Sequence, residues 1–197
     1  MPRLQIVRLP NDHTSGTATN KPTPTAALGD NDAALGRVIE ALSESKFWSS
    51  TAIFIVEDDA QNGPDHVDAH RTIAFVISPY VKRGSVDSTL YSTSSMLRTM
   101  ELILGLPPMS YYDAAATPLY NAFQGTPNLA PYRRLIPAVS LDERNTSTAF
   151  GAAISGSLNF SDADLTPEEP LNDVIWRSVK GPHSPMPPPR RSVFVPR

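Results

Sequence analysis

The stretch Thr51-Ala52-Ile53-Phe54-Ile55-Val56-Glu57-Asp58-Asp59-Ala60-Gln61-Asn62-Gly63-Pro64-Asp65-His66-Val67-Asp68-Ala69-His70 changes character halfway. It opens as an apolar run rich in β-branched residues, the pattern of a buried strand, and turns at Glu57 into acids, amides and imidazoles. Five carboxylates fall between Glu57 and Asp68, with His66 among them and His70 just beyond. A strand that delivers packed carboxylates and histidines at its end is how an α/β protein builds a metal site. Carboxylates crowded in one place repel one another, and a divalent cation relieves that repulsion. Carboxylates together with imidazoles suit Zn²⁺, Mn²⁺ or Fe, whereas an all-oxygen subset suits Mg²⁺ or Ca²⁺.

Working outward, Leu4 to Leu9 reads as a short strand ended by Pro10, which has no N–H to give to a ladder. A polar loop, Asn11 to Thr17, follows, and Pro22 and Pro24 hold the next residues extended. Leu35, Val38, Ile39 and Leu42 then share one helical face, so a helix is expected from about Asn31 to Ser45, with cap candidates in Asp30, Asn31 and Asp32. Phe47 and Trp48 follow as packing anchors. Thr72 to Ser78 is a further strand. Like Thr51 to Val56 it is continuously apolar, as expected of parallel strands covered on both faces. Ser92 to Ser95 offer caps for a second helix that carries Met96, Met100 and Ile103 or Leu104 and is stopped by Gly105-Leu106-Pro107-Pro108. The alternation of strands and helices predicts an α/β fold, a mainly parallel sheet flanked by helices.

Of the 20 prolines, six precede residue 106 and fourteen follow it. The expected division is therefore a structured part, 1–135, and an irregular, Pro-rich C-terminal extension, 136–197, with a short helix near Asp173-Val174-Ile175-Trp176. At 197 residues the chain is long enough for a real core. A net charge of −3 gives no electrostatic case for nucleic acid. The lack of cysteine excludes disulfides, zinc–thiolate sites and thiol catalysis. No apolar run reaches the roughly 18 residues of a membrane span, and the first residues lack the apolar region of a signal peptide.

Asp12-His13 lies just past the expected first strand, and Asp58-Asp59 just past the second. If those strands are parallel, both clusters emerge at one sheet edge, where open α/β folds keep their ligands, and His66 and His70 can fold back over it. Taken singly, Asp-Asp is also a common loop start, Asn-Asp-His-Thr is turn chemistry, and His66 beside Asp65 makes a surface ion pair. Their joint occurrence favours metal. Ser78, Ser94 and Ser95 fit strand-end and capping roles better than nucleophilic ones. Phe54 to Asp59 also looks like the first strand of a receiver domain, but the next strand ends in Ser78-Pro79 rather than the phosphoacceptor aspartate such a domain needs.

As an ordered set these segments resemble the phosphoesterase family of the alkaline phosphatase superfamily, which includes bacterial phospholipase C and acid phosphatase-like enzymes. The resemblance rests on Pro10-Asn11-Asp12-His13, Asp58-Asp59, Gly63, Asp65-His66-Val67, Arg71, Ile77-Ser78-Pro79-Tyr80 and Gly84. It continues through Ser95-Met96-Leu97-Arg98-Thr99-Met100-Glu101 and Gly105-Leu106-Pro107-Pro108, covering roughly residues 4–135. It is nearest to the bacterial subgroup whose phosphoesterase domain often follows a β-propeller. The resemblance implies a partial alkaline phosphatase-like fold and phosphoester hydrolysis assisted by one or two divalent metals. Asp58 and Asp59 would serve one metal; Asp12, His13 and His66 would serve the other or contact phosphate, and His70 would be a further ligand. Asp59 stands where many relatives have Glu.

The superfamily places its Ser or Thr nucleophile in an N-terminal half that has no counterpart here. The chain is therefore expected to be a C-terminal fragment that associates with a missing N-terminal half. A non-catalytic metal-binding or inactive remnant is the alternative. Relatives are commonly periplasmic or extracellular; no compartment follows for this chain.

Overall fold

A computed structural model describes residues 2–11, 13–57, 63, 68, 70–162 and 165–190. Its elements in order are α1 (Pro24–Ser43), a 3-10 turn (Trp48–Ser50), β1 (Ile53–Val56), β2 (Ala74–Ile77), α2 (Thr93–Leu104), α3 (Tyr111–Ala115), a second 3-10 turn (Tyr120–Ala122), α4 (Ala152–Ser157) and α5 (Glu168–Lys180). They fall into two compact units that alternate along the chain. The first holds residues 1–7, 41–57 and 73–132; the second holds 8–40, 58–72 and 133–197.

In the first unit β1 and β2 form a two-stranded sheet, with Ile53 opposite Ile77 and Val56 opposite Ala74. The pair is antiparallel, which corrects the expectation of a mainly parallel sheet. A parallel pair needs a crossover, usually a helix, and the connecting sequence around Gly63-Pro64 has no apolar helical period to supply one. The strands are also not covered on both faces: Phe75 is 49% exposed and Val56 38%. Leu4 to Leu9, expected to be a strand, is irregular.

α2 begins and ends where its sequence dictates. The Ser92 hydroxyl accepts from the Ser95 N–H, the Ser95 hydroxyl accepts from the Ser92 N–H, and Gly105 ends the helix at φ 70°. Thr99 then joins α2 to the next segment: its hydroxyl donates to Ser95 O at 2.7 Å and accepts from Leu119 N–H at 2.9 Å. Trp48, 3% exposed, meets Tyr132 edge-on with ring centroids 6.0 Å apart. Tyr132 is held by its own N–H, which donates to Ser43 Oγ at 2.9 Å, and by the Arg83 guanidinium 4.1 Å over its ring.

In the second unit α1 starts earlier than expected. Thr23 is the cap, its Oγ1 accepting from Ala26 N–H at 3.1 Å, and Pro24 takes the first helical position, where a missing N–H costs nothing. Asp30, Asn31 and Asp32 therefore lie inside the helix. Asn145, 6% exposed, organises the chain before α1: its Nδ2 donates to the carbonyls of Gly16, Ala18 and Pro22 at 3.2, 3.3 and 3.1 Å. Backbone bonds from Asn20 N–H to Asn145 O and from Asn145 N–H to Lys21 O complete the junction. Beside it Thr17 N–H donates to Ser155 Oγ at 3.0 Å. Gly16 has φ +58°, and a Cβ there would sit 2.6 Å from Ser155 Oγ, so both backbone conformation and space require glycine.

The C-terminal part is more regular than its prolines suggest. α4 and α5 lie within it, and α5 extends well beyond the short helix expected around Asp173–Trp176. Pro170 falls in the first turn of α5, where N–H groups have no intrahelical partner anyway. Val174, 1% exposed, packs against Gly151, where an added Cβ would approach Val174 Cγ2 to 2.5 Å.

Replacing Asn145 by Asp keeps the side-chain shape but turns a double donor toward three carbonyls into an acceptor. Asn145→Asp is expected to lower unfolding stability by at least about 2 kcal/mol, as much as Asn145→Ala or more. Urea denaturation of the two variants checks this; an Asp variant close to wild type would contradict the role given to the amide.

Candidate functional site

The candidate ligands divide sharply. Asp12, Asp58, Asp59 and His66 lie outside the described residues. His13 and His70 are described, and both belong to the second unit. His13 closes the turn after the first segment, its N–H donating to Pro10 O at 3.1 Å, and it is exposed. The side chain of Asn11 next to it donates to Asp30 of α1.

His70 is held by Asp68. The same carboxylate oxygen, Oδ1, accepts from the His70 backbone N–H at 2.8 Å and meets the ring Nδ1 at 3.0 Å. Arg71 N–H donates to Asp68 O at 3.0 Å and closes the turn. The Asp68 side chain is 16% exposed and the His70 ring 58%, so the acid is sheltered and the ring faces outward. Asp68 is one of the five acids of the opening stretch, yet its part was missed, because residues two apart meet only when the chain turns between them. The signal was the Asp-x-His spacing itself.

Among the described residues no group of three or more His, Asp or Glu side chains is gathered to hold a metal. A carboxylate accepts hydrogen bonds and donates none, so a neutral His70 ring facing Asp68 carries its proton on Nδ1. A groove of about 270 Å³ in the same unit is lined by Ala33, Arg37, Arg134, Leu135, Ile136 and Pro137, and contains none of the candidate ligands.

The Ser95 to Glu101 motif, in the first unit, has structural work to do. Ser95 is the capping residue described above, and Arg98 pairs with Glu101 at 3.2 Å. Glu101 and Asp113 are both buried. Asp113 accepts from Met109 N–H at 2.6 Å and from the Ser110 hydroxyl. The Ser110 bond above all, helped by the Glu101 carboxyl and the Met109 N–H and opposed by burial, holds Asp113 well below the usual carboxylate range. Ser78 is likewise structural, a buried strand-end residue whose hydroxyl accepts from Tyr80 N–H at 3.3 Å.

Residues 15–107 match the phosphoesterase family, and so contain the whole segment from β1 to the end of α2. The match takes in a little under half of the chain and marks that segment as similar to the family. The chain is also similar to the 26S proteasome non-ATPase regulatory subunit 1 of Drosophila melanogaster, 26% identical over 117 residues. That similarity takes in 59% of this chain and 11% of the subunit, so the chain spans about a tenth of the length of this curated relative. No helix among the described residues is long and apolar enough to cross a membrane.

The depressed acidity of Asp113 has a direct pH consequence. A carboxylate whose folded pKa is lowered stabilises the fold above its unfolded value, near 3.8, and that contribution is lost as pH falls through the lower folded value. Wild-type stability should therefore drop on acidification below about pH 4, and Asp113→Asn should flatten that limb. Urea midpoints from pH 6 down to pH 2 measure it; identical acid limbs in both proteins would refute the assignment.

Proposed function

We propose that the chain carries the metal-binding side of a phosphoester-hydrolysing centre. The observation that carries this reading is that the phosphoesterase match at 15–107 spans the complete acidic segment between β1 and β2. Asp58 and Asp59 would hold one divalent ion; Asp12, His13 and His66 would hold a second or contact the phosphoryl group, and His70 would add an imidazole. Bound metal would neutralise phosphoryl oxygens and lower the pKa of the attacking water or hydroxyl. The residues' own task is to bring carboxylate oxygen and imidazole nitrogen together around the ion. Ser78 and Ser95 are committed to the strand end and the α2 cap, and it is the resemblance to the phosphoesterase family that implies a nucleophile supplied by an associating N-terminal half.

A second reading, a non-catalytic binding module, is favoured by the similarity to a regulatory subunit. The two readings separate in one experiment. Hydrolysis of p-nitrophenyl phosphate, by the chain alone or with an N-terminal phosphoesterase half added, should be abolished by chelator and restored by divalent metal. Asp58→Ala/Asp59→Ala should bind less metal and lose activity by at least about a hundredfold. Unchanged metal content in that double variant would remove the metal site. Metal binding with no hydrolysis in any combination would favour the non-catalytic module.

A further inference from the structure

We propose that Pro185-Met186-Pro187-Pro188-Pro189-Arg190 is a docking segment for a partner protein that carries an aromatic-lined polyproline groove bordered by an acidic pocket. Neither metal nor hydrolysis enters into it. Four of the five residues from 185 to 189 are proline. Each proline fixes its own φ near about −65°, and Ser184, Met186, Pro187 and Pro188 each precede a proline, which disfavours helical backbone there. Local sequence therefore dictates a polyproline II helix, with about three residues per turn and no internal hydrogen bonds. In the structure 185–190 is neither helix nor strand, and among the described residues no backbone hydrogen bond engages 185–189. Ending α5 does not need so many prolines, because Gly181 and Pro182 already stop it.

Burial follows the same period. Met186 and Pro189 share one edge of the polyproline helix and are half-buried, so that edge is turned to the protein. Pro185 and Pro188 form a second edge and Pro187 and Arg190 a third, and all four are exposed. A groove that reads Pro-x-x-Pro grips two adjacent edges and leaves the remaining one outside. Here the edge left outside is the one the chain itself covers, so the segment can be gripped where it lies. The guanidinium two residues beyond Pro188 gives the ridge a direction, because an acidic pocket can meet it at one end only. The base of the segment is fixed to the end of α5. Ser184 N–H donates to Gly181 O and Ser184 Oγ to Lys180 O, each at 3.0 Å, and Arg177 Nη1 donates to Pro182 O at 3.0 Å. A ligand already extended and tethered loses little conformational entropy on docking.

The test titrates the full chain into a panel of isolated, ¹⁵N-labelled SH3 domains chosen for an acidic pocket beside their proline grooves. Wild type should shift the amide and indole resonances that line the groove of at least one domain. Pro185→Ala/Pro188→Ala should weaken that binding by at least about tenfold, since each change removes two ring methylenes from the contact. Arg190→Glu should weaken it by about tenfold or more, and Arg190→Lys, which keeps the charge without the planar fork, should recover part of it. Met186→Ala and Pro189→Ala, on the covered edge, should stay within about threefold of wild type. Urea midpoints identify any variant that fails to fold, and the wild-type titration decides docking without any variant. Absence of binding by every domain at chain concentrations up to about 1 mM overturns the proposal. So do shifts that lie outside the groove, binding that the proline and Arg190 variants leave unchanged, or equal losses from the exposed and the covered edges.

Discussion

The pairing of Val56 with Ala74 is the constraint that closes the sheet of the first unit. Paired residues in an antiparallel ladder lie about 5 Å apart, so the chain that leaves the sheet at Glu57 returns beside it at Ile73. The acids and histidines of the opening stretch fall in the sequence between those two residues. The entropy of closing the loop between them is offset by the sheet's main-chain hydrogen bonds.

Element positions were largely legible in the sequence; directions and ends were less so. Ser92 and Gly105 bounded α2 because each supplies a hydrogen bond or a backbone conformation that few other residues can. The α1 start was misread because Pro22 and Pro24 suggested an extended stretch, whereas Thr23 between them caps the helix and Pro24 is tolerated at its first position. Pro170 misled in the same way at α5. The continuous apolar runs located both strands, but an apolar run does not encode its neighbour's direction; the connection decides that, and this one carries no helical period. In the site, His70 stood out by residue type. Asp68 did not, because its role comes from a local turn rather than from composition.

Both units rely on polar side chains that satisfy backbone groups at chain junctions. Asn145 gathers three carbonyls from the segment preceding α1, and Thr99 bridges Ser95 O to Leu119 N–H. Such bonds contribute only about 1 kcal/mol net when made but cost more when one partner is removed. They therefore specify which segments meet more than they drive collapse. This suits a chain rich in irregular segments, whose backbone groups would otherwise have no partners away from water.

That choice of interior sets how the protein responds to temperature. Among the described residues the largest side chains with almost no exposure are Val174, Thr17, Pro79 and Ser155, and much of the remaining buried set is Ala, Ser, Thr or Asn. Unfolding such an interior hydrates polar surface alongside apolar surface, and the two change the heat capacity in opposite senses. The heat-capacity increment per residue is then smaller than for a core of large aliphatic side chains, and the stability curve is flatter. Stability in a protein built this way varies less between cold and warm conditions, and its maximum is a broad plateau rather than a peak.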